Sequence, residues 1–310
     1  MIPRIVVAGA GGGVGASVVF NLLVGALECE VVMVDARANM LRSHLWDLEQ
    51  VLEQPGVRGS LREGGVDDVG GAGVLVVAAA APLTVNTSRM VYLADNAAVL
   101  APLLSSLGPG WPGTVVLVTN PVDVLGTWAA RRFGLDRARL LGYTLNDSLR
   151  LRTGLGQALG VSPGRVRAWA VGEHGDLSVP LWERVSVDGA SVEVDADVRA
   201  RVQEYIRSWY ARHVALDSGR SSTWTSGLGI ARMIRACLEG DGSSPEVWPA
   251  SVALRGEYGL DGVSLSVPVR LGGGGMLGVE EWALSGESLE GLRAAAAFVR
   301  EAADSLEGKK

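Results

Sequence analysis

Ile5-Val6-Val7-Ala8-Gly9-Ala10-Gly11-Gly12-Gly13-Val14-Gly15 is the stretch on which the fold turns. Four apolar residues, three of them β-branched, read as a strand buried on both faces. Glycines stop it, and Val14, Val18, Val19, Leu22 and Leu23 then recur at helical spacing. Within the turn, Gly9, Gly12 and Gly15 form a G-x-x-G-x-x-G variant of the dinucleotide fingerprint. Glycine permits the tight turn and lets the backbone approach a pyrophosphate at a helix N-terminus. A glycine turn alone fits many strand–helix units, and the next strand sharpens it. Val31-Val32-Met33-Val34 ends at Asp35, about 20 residues after the last glycine, where a carboxylate accepts hydrogen bonds from ribose hydroxyls. The same carboxylate repels a 2′-phosphate, which predicts NAD rather than NADP.

Working outward, Val74-Leu75-Val76-Val77 and Val115-Val116-Leu117-Val118 are further β-branched runs, with a helical pattern from Leu93 to Leu104 between them. Such alternation predicts βαβ units. From about Leu141 the character changes. Helices are expected over 146–159, 196–213 and 223–238, strands over 166–171 and 263–270, and a hairpin over 185–194 around Asp188-Gly189. A final helix carries Leu292, Ala295, Ala296, Val299 and Leu306 on one face. The expected class is α/β. A Rossmann-type doubly wound parallel sheet (residues 1–141, binding NAD) precedes an α+β catalytic domain (residues 142–310). No repeat or linker-like stretch separates the halves, so they should pack closely.

Composition excludes other classes. The chain has 310 residues, 48% hydrophobic and 20% charged, an ordinary globular balance. Its net charge of −6, with no basic run longer than a dipeptide, gives no electrostatic footprint for nucleic acid. The longest apolar run, Val74 to Leu83, falls far short of the about 20 residues that cross a bilayer. Met1-Ile2-Pro3-Arg4 enters an apolar segment with no leader pattern, so a cytoplasmic protein is expected. Two cysteines, Cys29 and Cys237, are too few for a disulfide framework or a thiolate metal site, and no metal is expected. Lysine occurs only at Lys309 and Lys310, which removes lysine chemistry from consideration.

Of three histidines, His44, His174 and His213, only His174 sits in a glycine-flanked turn after a strand, in Gly172-Glu173-His174-Gly175-Asp176. An imidazole there can give and take a proton at neutral pH. It needs a carboxylate to orient it. Asp147 is a candidate, with Arg150 three residues on and so on the same face of a helix start.

The glycine turn, Asp35, Val118-Thr119-Asn120-Pro121-Val122-Asp123, the Asp147/Arg150 pair, the His174 motif and Ser264-Leu265-Ser266-Val267-Pro268 occur in an order and spacing that resembles the L-lactate/malate dehydrogenase family. The resemblance covers essentially the whole chain. It implies NAD-dependent hydride transfer between NADH and the carbonyl of a 2-oxo acid, giving an L-2-hydroxy acid. It also implies a homodimer or homotetramer. Carried over, His174 corresponds to the proton donor, Asp147 to its orienting partner and Arg150 to the clamp on the substrate carboxylate. Arg89 corresponds to the arginine of the closing loop. Asn120 corresponds to a residue touching substrate and cofactor, Asn96 to a cofactor-side residue and Ser222 to a small pocket-lining residue.

Several positions depart from the family pattern. Ala78-Ala79-Ala80-Ala81 replaces a threonine-alanine-glycine stretch, residues 83–88 lack the usual proline and glycine, and Asn146 replaces a leucine. The residue six before the loop arginine selects the substrate side chain in the family, glutamine for pyruvate and arginine for oxaloacetate. Here that count from Arg89 reaches Leu83. A leucine predicts apolar 2-oxo acids such as 2-oxoisocaproate or phenylpyruvate, with L-lactate or malate dehydrogenase as alternatives. A non-catalytic NAD-binding redox sensor is the alternative of another class. Arg152 and Arg167 match positions that bind an anion between subunits in some members; ordinary solvated or paired arginines are the other reading.

Overall fold

The computed structural model describes residues 2–25, 27–82, 89–218, 222–244 and 246–307, with the backbone alone at Arg89. Six parallel strands stand in the spatial order 3-2-1-4-5-6. They are β1 (Arg4–Ala8), β2 (Glu30–Val34), β3 (Ser60–Glu63), β4 (Val74–Val77), β5 (Thr114–Leu117) and β6 (Leu140–Tyr143). Four helices connect them: α1 (Gly13–Val24), α2 (Ala38–Val51), α3 (Leu93–Ser105) and α4 (Val122–Phe133). β1 takes the centre, with Ile5 opposite both Val31 and Val74, and Ile5, Val6 and Val7 are wholly buried. That is why these strands read as unbroken apolar runs instead of alternating ones. The order reverses between β1 and β4, and ligands of open α/β sheets bind beyond the strand ends at such a reversal.

The sheet does not stop at β6. It runs on, now antiparallel, through β12 (Trp248–Arg255), β13 (Asp261–Gly272), β8 (Ala170–Gly172) and β9 (Ser178–Pro180), with β14 (Gly275–Val279) folded back on β13. β12 was not expected from sequence. Its Ala250-Ser251-Val252-Ala253 core mixes small and polar residues, so it lacks the apolar contrast of a strand run, yet Ala250, Ser251 and Val252 are all buried. Gly142 makes the junction possible, since a Cβ there would lie 2.7 Å from the Ser251 side chain.

Four helices complete the second half: α5 (Leu145–Leu159), α6 (Ala196–Ala215), α7 (Trp224–Glu239) and α8 (Gly286–Glu307). A small sheet of β7 (Val166–Arg167), β10 (Ser186–Val187) and β11 (Ala190–Ser191) carries the expected hairpin, with Asp188 and Gly189 both at positive φ. A satellite core of Leu151, Leu155, Val166, Trp182, Val198 and Val202 fastens α6 onto α5. The start of α5 after β6 and the loop after β8 are thereby brought together.

Candidate active site

The exit of β1 is held tightly against the exit of β4. Gly9 has φ +91°, and a Cβ on it would stand 2.4 Å from the Ala79 backbone nitrogen; one on Gly15 would stand 2.2 Å from the Gly9 carbonyl oxygen. Neither site has room for a methyl group. Gly12 caps α1 and supplies no side-chain partner for the helix's first N–H groups. The result is a backbone cradle at a helix N-terminus, which suits an anionic diphosphate.

Asp35 ends β2 and ties the turn to it. Its Oδ2 accepts the Gly11 N–H at 2.9 Å, and its Oδ1 accepts the Arg37 N–H at 2.9 Å and Nε at 3.2 Å. Arg37 escaped the sequence reading, although its place two residues past the strand-end carboxylate was a usable signal. Its guanidinium lies over the turn, 3.5 Å from where a Cβ on Gly12 would stand. Asn96 is buried, with its Oδ1 accepting from the Ala81 N–H and its Nδ2 donating to the Asn120 carbonyl, each at 2.7 Å. Both ends of the amide therefore brace these loops. Asn120, just past β5, keeps its side-chain oxygen buried and without a hydrogen-bond partner, a polar atom suited to a ligand. These residues fit NAD.

About the sheet's other reversal, three expected side chains converge. Asp147 and Arg150 rise from the first turns of α5. Asp147 Oδ2 faces His174 Nδ1 at 2.5 Å, and Asp147 Oδ1 accepts from Arg150 Nη1 at 3.3 Å. The register is set from below. The Thr144 and Ser266 hydroxyls meet at 2.7 Å, joining α5 to β13, and the Ala170 N–H donates to the Ser148 hydroxyl at 3.0 Å, joining β8 to α5. Glycines shape the loop that carries His174: Gly172 has φ +89°, and a Cβ on Gly175 would collide with the Glu173 carboxylate. His174 and Asp147 are both buried. Nδ1 is turned to the carboxylate, the arrangement of an orienting acid and a proton-transferring imidazole.

Two partners of this cluster were not legible in sequence. The Arg150 guanidinium lies 4.0 Å from the centre of the Trp209 ring on α6, and His213 stacks on the same indole at 5.1 Å. Asn146, the departure beside Asp147, accepts from the Tyr143 hydroxyl at 3.0 Å and donates to the Ser226 hydroxyl at 2.9 Å, knitting α5 to α7. A cavity of about 720 Å³ opens over the cluster, lined by Asp147, Arg150 and His174 together with Leu177, Ile206 and Tyr210.

With this geometry in view, the profile of the lactate/malate dehydrogenase NAD binding domain matches residues 3–142, and that of the lactate/malate dehydrogenase alpha/beta C-terminal domain matches residues 144–308. The chain belongs to the lactate/malate dehydrogenase family. It is therefore an NAD-dependent dehydrogenase of 2-hydroxy acids. It is 33% identical over 297 residues to a malate dehydrogenase of Halobacterium salinarum, covering 94% of this chain and 96% of that one. It is 32% identical over 309 residues to an L-lactate dehydrogenase of Thermus aquaticus, covering 95% and 97%. The crystal structure of a minor L-lactate dehydrogenase from Enterococcus mundtii shares the fold, with a TM-score of 0.87 at 20% identity over 98% of each chain.

Other expectations fare unevenly against this family fold. Ser222 is half-buried ahead of α7 and is not among the residues lining the cavity; Thr223, next to it, packs 3.2 Å from a Cβ position on Gly13. Leu83 lies outside the described residues. Arg152 donates to the Ala168 carbonyl at 3.0 Å and lies over Trp169, and burial, then the nearby Arg167, lowers its pKa. Burial pushes the Cys29 thiol up to about 11 and Cys237 up to about 12, so neither offers a thiolate. No described helix is long and apolar enough to cross a membrane.

Proposed function

We propose that this dehydrogenase reduces 2-oxo acids with apolar side chains. The observation that carries the reading is the cavity wall beyond the acid–base pair. Leu177, Ile206, Tyr210, Phe298 and Met90 line it, and among its described residues the only arginine besides Arg150 is Arg207. That guanidinium is paired with Glu204 at 2.7 Å. A leucine at position 83 points the same way, because closing it over a second carboxylate leaves a buried charge unpaired, at a penalty of several kcal/mol. An apolar side chain gains about 0.8 kcal/mol per buried methylene instead.

In this reading Arg150 binds the substrate carboxylate, since a planar guanidinium meets a carboxylate bidentately. Bound NADH supplies the hydride. His174 donates the Nε2 proton to the carbonyl oxygen, and Asp147 holds the ring and stabilises its charged form before transfer. Arg89 adds positive charge as negative charge develops on that oxygen. Asn120 orients carbonyl and cofactor, Gly9, Gly12 and Gly15 admit the diphosphate, and Asp35 receives the adenosine ribose. NADH is preferred over NADPH only so far as Asp35 outweighs the neighbouring Arg37.

A malate dehydrogenase is the second reading. Arg207 stands on the cavity wall and is 71% exposed, so its exposed pair with Glu204 resists displacement weakly. Catalytic efficiencies for oxaloacetate and 2-oxoisocaproate separate the two, measured in wild type, Leu83→Arg and Arg207→Gln. The apolar reading expects wild type to prefer 2-oxoisocaproate and Leu83→Arg to move the ratio toward oxaloacetate by about tenfold or more. Wild-type preference for oxaloacetate that collapses in Arg207→Gln would establish the dicarboxylate reading.

A further inference from the structure

Behind the imidazole lies a carboxyl that the reaction just described does not use. Asp123, in the first turn of α4, is 1% exposed. Its Oδ2 accepts the backbone N–H of His174 at 2.6 Å. Its Oδ1 is buried without a hydrogen-bond partner, as is the hydroxyl of Ser251 on β12, and Ser251 is close enough to act on the carboxyl as a hydrogen-bonding group. Two polar atoms are thus buried without partners, an arrangement that proteins rarely leave standing.

The charges acting on Asp123 make matters worse for an anion. Glu173, on the loop after β8, and Asp147, on α5, both act on it as like charges. Among the described residues no ion pair reaches it. The Ser251 hydroxyl and the His174 peptide, both neutral, favour the charged form, but burial and Glu173 outweigh them. An ionised Asp123 would be a third carboxylate in one buried shell with no cation of its own, an arrangement that proteins avoid by neutralising the group. A proton on Oδ1 resolves both problems together. It donates to the Ser251 oxygen, satisfying the two orphan atoms, while Oδ2 goes on accepting from His174.

We propose that Asp123 works as a neutral carboxylic acid, a positioning residue that holds the His174 main chain through Oδ2 and Ser251 through a proton on Oδ1. The imidazole then has Asp147 as its anionic partner and is not drawn toward a second. Burial, reinforced by Glu173, pushes the Asp123 carboxyl up to about 8, in keeping with the geometry. From about pH 4 to about pH 8 the unfolded chain loses this proton and the folded chain keeps it, so the group's contribution to stability falls as pH rises through that window. Its effect on rate rests on the reading of His174 as proton donor; its protonation state does not.

The test compares wild type with Asp123→Asn, Asp123→Ala and Ser251→Ala. Asparagine copies the neutral acid, with one oxygen to accept from His174 and an N–H₂ to donate to Ser251. Turnover of NADH with 2-oxoisocaproate should fall by no more than about threefold in Asp123→Asn, and by about tenfold or more in kcat, with KM little moved, in Asp123→Ala. Infrared spectra near neutral pH should show the C=O stretch of a protonated, buried carboxyl that disappears in Asp123→Asn and shifts in Ser251→Ala. The melting temperature of Asp123→Asn relative to wild type should rise between about pH 5 and about pH 8. An Asp123→Asn enzyme as impaired as Asp123→Ala would overturn the proposal, as would absence of the infrared band from wild type or a pH-independent difference in melting. If Asp123→Ala does not fold, Asp123→Asn and Ser251→Ala still decide. If wild type turns over no 2-oxo acid, the proton-donor reading fails while the infrared and melting results judge Asp123 alone.

Discussion

On the cofactor side of the site the working surface is main chain: Gly9, Gly12 and Gly15 within seven residues, with one carboxylate fastening the turn to the next strand. On the substrate side it is side chains, contributed chiefly by α5, the loop after β8 and α6, and drawn from residues as far apart as Met90 and Phe298. The first region is sensitive to added volume, because its function is to let a ligand close on the backbone. The second is sensitive to changes of chemistry, because its function is to place a proton, a charge and a carboxylate within reach of one another. The difference teaches where each kind of damage should appear.

His174→Ala should separate the regions most sharply. Loss of general acid catalysis lowers turnover by about 100- to 10,000-fold, while NADH binding, followed by its fluorescence, stays as in wild type. A variant that turns over at near wild-type rate would remove His174 from the chemistry. Gly15→Ala should do the reverse. A methyl 2.2 Å from the Gly9 carbonyl must push the turn open, an overpacking cost of about 1–3 kcal/mol, so melting temperature and NADH affinity both drop. Normal NADH binding in this variant would mean that the cradle is less tight than its geometry. The smallest effect belongs to Trp209→Leu. Removing the ring beneath Arg150 forfeits about 0.5–2 kcal/mol, a rise of roughly 2- to 30-fold in KM for the oxo acid with kcat nearly unchanged. A fall in kcat alone would show that Trp209 serves the proton-transfer step and not the clamp.

The legibility of the two regions differs for the same reason. The glycine turn, β1 and Asp35 could be read because strand, turn and helix are neighbours in sequence, and the next strand's end is set by the sheet's own register. Asp147 and His174 could be named because each sits in a distinctive local motif, although 27 residues separate them. Asp123 was visible as part of Asn120-Pro121-Val122-Asp123, but its hold on His174 spans 51 residues and has no local trace. Trp209 belonged to an expected helix with nothing to mark which face would meet Arg150. Asn96 stood in a suggestive place, but its bonds to the Ala81 N–H and the Asn120 carbonyl likewise have no local trace.

Local pattern alone determined that this chain builds a doubly wound nucleotide-binding sheet, where its glycine turn lies, and that His174, Asp147 and Arg150 were the side chains to look for. Those depend on backbone conformation, side-chain period and residue type, all local properties of a chain. Tertiary structure alone decided that β12 extends the sheet so that α5 and the His174 loop meet, that Trp209 backs Arg150, and that Asp123 and Ser251 are both buried, with no ion pair to Asp123 among the described residues. Burial and contact across many tens of residues set these, because desolvation acts on whatever the fold encloses and leaves no mark on the order of residues.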